Sequence, residues 1–221
     1  MSDLDFSIVS AEPVRHAASP TIRFALRIRH GDVTRHGELA EPRAELVEAI
    51  EALVLRVQLR IEPQWRSYSD AEKPLLNDLF GTPDRWGTTL RALSWADVPV
   101  MVPAFTGETE ASVNVPCTYD FDVTAARYFS ALEDGEIPLR FLFSGSIFHH
   151  GDAGFSSERI SWSSECAYRM PHRVWRDAMR ACYGDSVLLR IDRETFEHLQ
   201  RIRASTGAQS WDEVLLVEGS P

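Results

Sequence analysis

From Thr21 to Arg29 the chain alternates without a break: Ile22, Phe24, Leu26 and Ile28 fall on one side, Arg23, Ala25, Arg27 and Arg29 on the other. A helix would wrap such a run around its whole circumference. A strand sorts it into an apolar face and a wet face, so this period of two demands a sheet with one side buried. The same pattern recurs with Val57, Leu59 and Ile61 against Arg56, Gln58, Arg60 and Glu62. Phe6 and Ile8 suggest a short opening strand.

Between the two alternating runs, Glu41-Pro42 opens a segment whose Leu46, Val47, Ile50 and Leu53 follow helical spacing, with Pro42 suited to a first turn. A second helix is expected from Ser69 to Phe80. Ser69 or Asp70 would cap it, Leu75, Leu76, Leu79 and Phe80 would form its apolar face, and Gly81 would end it. Residues 86–105 are apolar but interrupted by Pro99 and Pro103, which predicts an edge strand or loop.

The second half predicts a strand from Val113 to Phe121 and a helix capped by Asp122. A long strand then starts at Ile137, and another carries Ile160, Trp162, Ser164, Cys166 and Tyr168. The 137 strand, apolar on both sides, is expected in a sheet interior covered on both faces. A loop is expected near 150–157. The strand–helix–strand passage from 113 to 149 would make a local parallel pair if both strands joined one sheet. Pro171 opens a helix with the face Val174, Trp175, Ala178, Met179 and Cys182. Ser186 to Ile191 predicts a short strand, and Asp192 caps a further helix ended by Gly207. Ser210 with Glu213 makes a capping box before a last short helix. Strands come first and then mix with helices, so the expected fold is α+β. Its sheet should be largely antiparallel, with room for a mixed one, carrying several amphipathic helices, and residues 1–221 are read as one compact domain.

Composition narrows the function classes. The formal net charge of −10 argues against a general nucleic-acid binder. No apolar run is long enough for a membrane span, and Met1-Ser2-Asp3-Leu4-Asp5 lacks the basic region of a signal peptide. Three widely spaced cysteines, Cys117, Cys166 and Cys182, read as reduced thiols of a cytoplasmic protein. Dinucleotide, P-loop, zincin and C-x-x-C motifs are absent, so no cofactor is expected. Phe143-Ser144-Gly145-Ser146 lacks the strand-to-helix setting of a nucleophile elbow. Gly145 there marks a bulge or a close backbone contact.

Three constellations carry chemistry. His149, His150 and Asp152 are the metal candidates, imidazole with carboxylate suiting zinc, iron or nickel. Adjacent histidines on a strand point to opposite faces, however, so a polar hairpin tip without metal is the plainer reading. Cys117 and Asp120 are the catalytic candidates. Residues 101–136 hold seven acids and one arginine, and negative surroundings disfavour a thiolate, so Cys117 reads as a core residue. Trp65 and Trp86, in polar sequence flanking the 69–80 helix, are candidates for partner contact. Arg173, Arg176 and Arg180 read as the solvated face of their helix.

Several runs resemble an uncharacterised bacterial family known only as a domain of unknown function. They are Pro116-Cys117-Thr118-Tyr119-Asp120-Phe121, Tyr128-Phe129, Asp134-Gly135-Glu136-Ile137-Pro138-Leu139, Phe141-Leu142-Phe143-Ser144-Gly145, Ile160-Ser161-Trp162 and Leu79-Phe80-Gly81 with Arg85-Trp86. The resemblance covers nearly the whole chain. Residues 31–53 fit it less well and read as a variable insertion. Genes of that family often lie near nickel–iron hydrogenase genes. The resemblance therefore implies a non-enzymatic accessory, assembly or chaperone-like protein, with a hydrogenase subunit or maturation factor as partner. It supplies no catalytic residue. A metal-handling protein using His149, His150 and Asp152, or an enzyme centred on Cys117 and Asp120, are the alternatives.

Overall fold

The alternating run from Thr21 to Arg29 becomes the middle strand of a three-stranded sheet. The computed structural model describes residues 4–31, 49–117, 123–151, 154–161, 163–186 and 191–218. By their contacts they group into two compact units, Met1–Gly184 and Asp185–Pro221.

In the first unit, β1 (Leu4–Pro13), β2 (Thr21–His30) and β5 (Glu108–Pro116) form the first sheet in the order β1-β2-β5. The second sheet contains β3 (Ile50–Ile61), β4 (Leu93–Phe105), β6 (Glu136–Gly151), β7 (Gly154–Arg159) and β8 (Glu165–Pro171). Its order is β4-β3-β6, with β7 and β8 sharing the far side of β6 end to end. Every strand pair among the described residues is antiparallel. The α+β reading holds, with both sheets antiparallel.

The inner faces of the two sheets make the core. Ile22, Phe24, Leu26 and Ile28 are fully buried against Leu53, Leu55, Val57, Leu59 and Ile61 of β3 and the odd-numbered residues of β6. Phe24 meets Phe141 edge-on at 5.1 Å, and Phe6 stacks on Phe143 at 4.3 Å. Each such side chain contributes roughly 1.5–3 kcal/mol when withdrawn from water. A bulge between Leu59 and Arg60 lets Trp95 of β4 turn inward, where its ring stands edge-on to Phe129 at 5.0 Å. Phe129 belongs to α4 (Val123–Ser130), and α5 (His172–Tyr183) buries Val174 and Ala178 while Arg173, Arg176 and Arg180 stay exposed.

Several expectations are corrected. Ile50 and Leu53 begin β3 and are not helical, because both enter the sheet core; residues 32–48 of the expected insertion lie outside the described residues. The 69–80 helix is two single turns, α1 (Glu72–Leu75) and α2 (Asn77–Phe80). Pro74 cannot donate a backbone hydrogen bond, and Leu75 ends up 61% exposed, away from the buried Leu76 and Phe80. A further turn, α3 (Trp86–Thr89), precedes the proline-bearing edge strand β4. The 113–149 passage crosses from one sheet to the other, so it makes no parallel pair. The expected 150–157 loop is largely β7, and β8 starts at Glu165. The strand β6 is central as expected, but beyond Pro138 its even-numbered face is not buried; Leu142 and Phe148 are half-exposed and Ser144 exposed.

Gly145 sits where β6 passes from pairing with β8 to pairing with β7. Its φ is +150°, and a Cβ there would lie 2.0 Å from the Val54 carbonyl oxygen, so the close backbone contact expected at this residue is present. The Gly145 carbonyl also accepts the Ile160 N–H.

The second unit holds α6 (Arg193–Thr206) and α7 (Trp211–Glu218). Gly207 ends α6 in the left-handed conformation at φ +73°. Ser210 Oγ accepts the Glu213 N–H, while the Glu213 carboxylate accepts the Gln209 N–H. The expected strand 186–191 falls largely on residues outside those described. No helix among the described residues is long and apolar enough to cross a membrane.

Candidate functional site: the outer face of the second sheet

The two outer faces differ in kind. On the first sheet, β2 arginines pair across to β5 and β1 carboxylates: Arg27 with Glu108 at 3.1 Å and Glu110 at 3.0 Å, Arg29 with Glu108 at 2.7 Å, and Arg23 with Glu12 at 3.4 Å. The hydrogen bond from Arg29 holds the Glu108 carboxyl below its ordinary range. This is a ladder of solvated ion pairs, worth little in stability, with Val9 at the bulge of β1 45% exposed beside it.

The outer face of the second sheet is built differently. Strand parity places Val54, Arg56, Gln58 and Arg60 of β3 outward. Opposite them on β4 lie Met101, Pro99 and Asp97, and on β6 Ser146, Ser144 and Leu142. Met101 is 78% exposed, Val54 39%, and Phe155 of β7 68%. Phe155 stacks on Phe148 at 5.6 Å. Large apolar side chains gathered on one exposed face mark an interaction surface more than scattered ones do.

A groove runs along this face. One end, about 640 Å³, is lined by Val54, Pro99, Gly145, Ser146 and Phe148. The other, about 380 Å³, is lined by Gln58, Arg60, Leu142 and Ser144. Arg56 and Asp97 line both and pair at 2.7 Å. The depression exists because Ser144-Gly145-Ser146 gives β6 its smallest side chains where its neighbours carry Arg56, Leu142 and Phe148. The Arg60 guanidinium donates to Gln58 Oε1 at 3.3 Å and meets no carboxylate among the described residues.

The sequence candidates are placed as follows. His149 is buried and His150 exposed, so the strand does turn them to opposite faces; Asp152 lies outside the described residues. The ring facing His149 is instead that of His30, from the end of β2, with centroids 6.3 Å apart. No group of three or more metal-ligating side chains occurs among the described residues. Cys117 is buried beside the end of β5, its thiol against the Val115 carbonyl oxygen at 3.8 Å, and Asp120 lies outside the described residues. Burial pushes the Cys166 thiol up to about 11.

Trp65 and Trp86 are both half-buried. Arg140 lies over the Trp65 ring at 4.8 Å, and the Trp86 indole donates to the Gly81 carbonyl at 2.8 Å while its ring packs on Tyr68. Between them sits a buried polar cluster that sequence reasoning missed. Glu72 is 3% exposed, pairs with Arg66 at 2.8 Å, and accepts the Ser69 and Glu133 backbone N–H groups. Arg66 also donates to the Glu136 and Asp134 carbonyls. Tyr68 donates to the Pro63 carbonyl, so the 2.8 Å contact between hydroxyls has Tyr128 as donor. Burial pushes Tyr68 up to about 12 and Tyr128 higher still. Both Glu72 oxygens are occupied and neither phenol ionises near neutrality, so the cluster fastens α1 to the segment before β6. The one sequence signal for it was the capping pair Ser69 and Glu72, whose hydrogen bonds are reciprocal.

A family model described as a family of unknown function (DUF6084) matches residues 1–217. No curated protein matches the chain. Among solved structures, β-glucosidase 3B from Thermotoga neapolitana, in complex with α-D-glucose, is similar at 10% identity with a TM-score of 0.26. The same enzyme with glycerol gives 10% and 0.25. Each likeness covers 76% of this chain and 17% of the other. Superpositions that loose bear on neither fold nor activity.

Proposed function

The chain belongs to the family of unknown function DUF6084, and we propose that it is a non-enzymatic accessory protein that binds a protein partner through the outer face of its second sheet. The observation that carries this reading is the contrast between the two outer faces. One is neutralised by its own ion pairs. The other exposes Val54, Met101 and Phe155 beside a groove. Burying those side chains against a partner supplies the apolar centre that protein interfaces need. The family resemblance read from the sequence directs the search for the partner to nickel–iron hydrogenase subunits and their maturation factors.

The test is capture from hydrogenase-expressing cells with tagged wild-type chain and with Met101→Asp and Val54→Asp variants. Wild type should recover a hydrogenase component, and both variants should lose it while keeping the wild-type unfolding midpoint. Deletion of the gene should lower hydrogen oxidation by impairing assembly. Recovery of no hydrogenase component even after crosslinking, with hydrogen oxidation intact in the deletion strain, would overturn the accessory role.

A further inference from the structure

The groove is chemically graded, and its gradient specifies what fits. Its floor is Ser144-Gly145-Ser146, whose two hydroxyls have no hydrogen-bond partner among the described residues. One end is walled by Val54, Pro99 and Phe148. The other holds Arg60, whose guanidinium meets only the amide oxygen of Gln58 there, while Arg56 is already engaged by Asp97. Arg140, opposite Arg60 on β6, is already paired with Glu62 at 2.8 Å and Glu165 at 3.4 Å, so Arg60 is the cation at this end that no carboxylate among the described residues engages. From Val54 to Arg60 is six residues of strand, about 20 Å at ~3.3 Å per residue.

Resting on the docking surface proposed above, we infer that its occupant is an extended segment of the partner with an apolar side chain at one end and a carboxylate five or six residues away. The apolar side chain seats against Val54, Phe148 and Met101. The carboxylate takes the bidentate fork of Arg60, for which a planar guanidinium is suited. Small residues between them lie over Ser144 and Ser146, whose side chains share the outer face with Arg56 and Val54, and their backbone groups bond the two hydroxyls. A basic segment is refused at the Arg60 end, so the groove selects by charge as well as by shape.

The probes are three fluorescein-labelled synthetic peptides added to purified full-length chain and followed by anisotropy. The first is Leu-Phe-Ser-Gly-Ser-Gly-Asp-Asp, the second replaces both Asp with Lys, and the third replaces Leu-Phe with Ser-Ser. The first should bind, and the second and third should bind at least ten-fold more weakly. Arg60→Glu should weaken the first peptide ten-fold or more and bring the Lys peptide up to it. Ser144→Phe, an exposed position that fills the floor, should abolish binding with the unfolding midpoint unchanged. Equal binding of the Asp and Lys peptides, indifference to Arg60→Glu, or no binding of the Asp peptide at 1 mM (roughly −4 kcal/mol) would overturn the inference. So would a dimer seen by sedimentation and lost in Met101→Asp, which would give the face to a second copy. If Met101→Asp loses the captured partner while the peptides show no charge preference, the docking surface stands and the acidic segment falls.

Discussion

Gly145→Ala tests how tightly the second sheet is built around its central strand. Two costs apply at this residue. Its φ of +150° is a region that L-residues avoid, which costs about 1–3 kcal/mol. The new Cβ would also lie 2.0 Å from the Val54 carbonyl oxygen, 3.0 Å from its carbon and 3.2 Å from Leu55 Cα. These are backbone atoms of the strand paired with β6 on either side of Leu55↔Gly145. They cannot swing away as a side-chain tip would, and overpacking of this kind costs roughly 1–3 kcal/mol more. The sum, about 2–6 kcal/mol, is a large part of the ~5–15 kcal/mol that keeps a domain folded. Two controls separate the contributions. At Gly107, φ is +73° but a Cβ meets nothing within 4 Å, so Gly107→Ala should cost about 1–2 kcal/mol from backbone strain alone. Gly87, in the helical turn α3, has neither problem, and Gly87→Ala should be neutral or stabilise by up to about 1 kcal/mol. Urea unfolding followed by tryptophan fluorescence gives all three values. A Gly145→Ala cost no greater than that of Gly107→Ala would refute the argument from backbone contact.

Phe141→Ala removes a fully buried ring that touches both sheets and should cost roughly 3–5 kcal/mol; an unchanged thermal midpoint would contradict its central place. Glu72→Gln breaks a buried ion pair with Arg66 and should cost about 3 kcal/mol or more. The double variant Glu72→Leu with Arg66→Met should recover part of that loss, and a double variant worse than the sum of the singles would show that the pair is not what fastens α1. His172 is 2% exposed, its Nε2–H donates to the Phe129 carbonyl, and its burial disfavours the charged ring. Burial lowers its pKa from the ordinary 6.5. In that window the unfolded chain binds the extra proton, so stability is complete above about pH 6.5 and declines as pH falls below it. Urea midpoints measured from about pH 7.5 to 5 should show this decline, and His172→Gln should flatten it; an identical slope in the variant would remove His172 as its source.

The legible part of this molecule was local. Alternation along Thr21–Arg29 and Arg56–Ile61 named strands and their inward residues correctly, because side chains of a strand point alternately to opposite faces whatever the strand pairs with. Caps were legible for the same reason. Ser69, Gly81, Gly207 and Ser210 with Glu213 all act within one helical turn. Gly145 was legible as a close contact, since a glycine inside a strand has few other uses.

What lay beyond the sequence depended on partners distant along the chain. Ile50 and Leu53 fit a helical spacing as well as a strand until β4 and β6 paired with their segment. The passage from β5 to β6 suits a parallel pair on local grounds, and only the packing of two sheets sends its strands to different ones. Apolar residues on both faces of β6 suggested burial on both sides. Tertiary structure covered one face with β2 and left Leu142 and Phe148 on the other, beside the arginines of β3. Which apolar face becomes core and which stays exposed depends on what the rest of the chain can cover. The residues that bear the proposed function were therefore in plain view in the sequence, but their grouping on one open sheet face was decided by the fold.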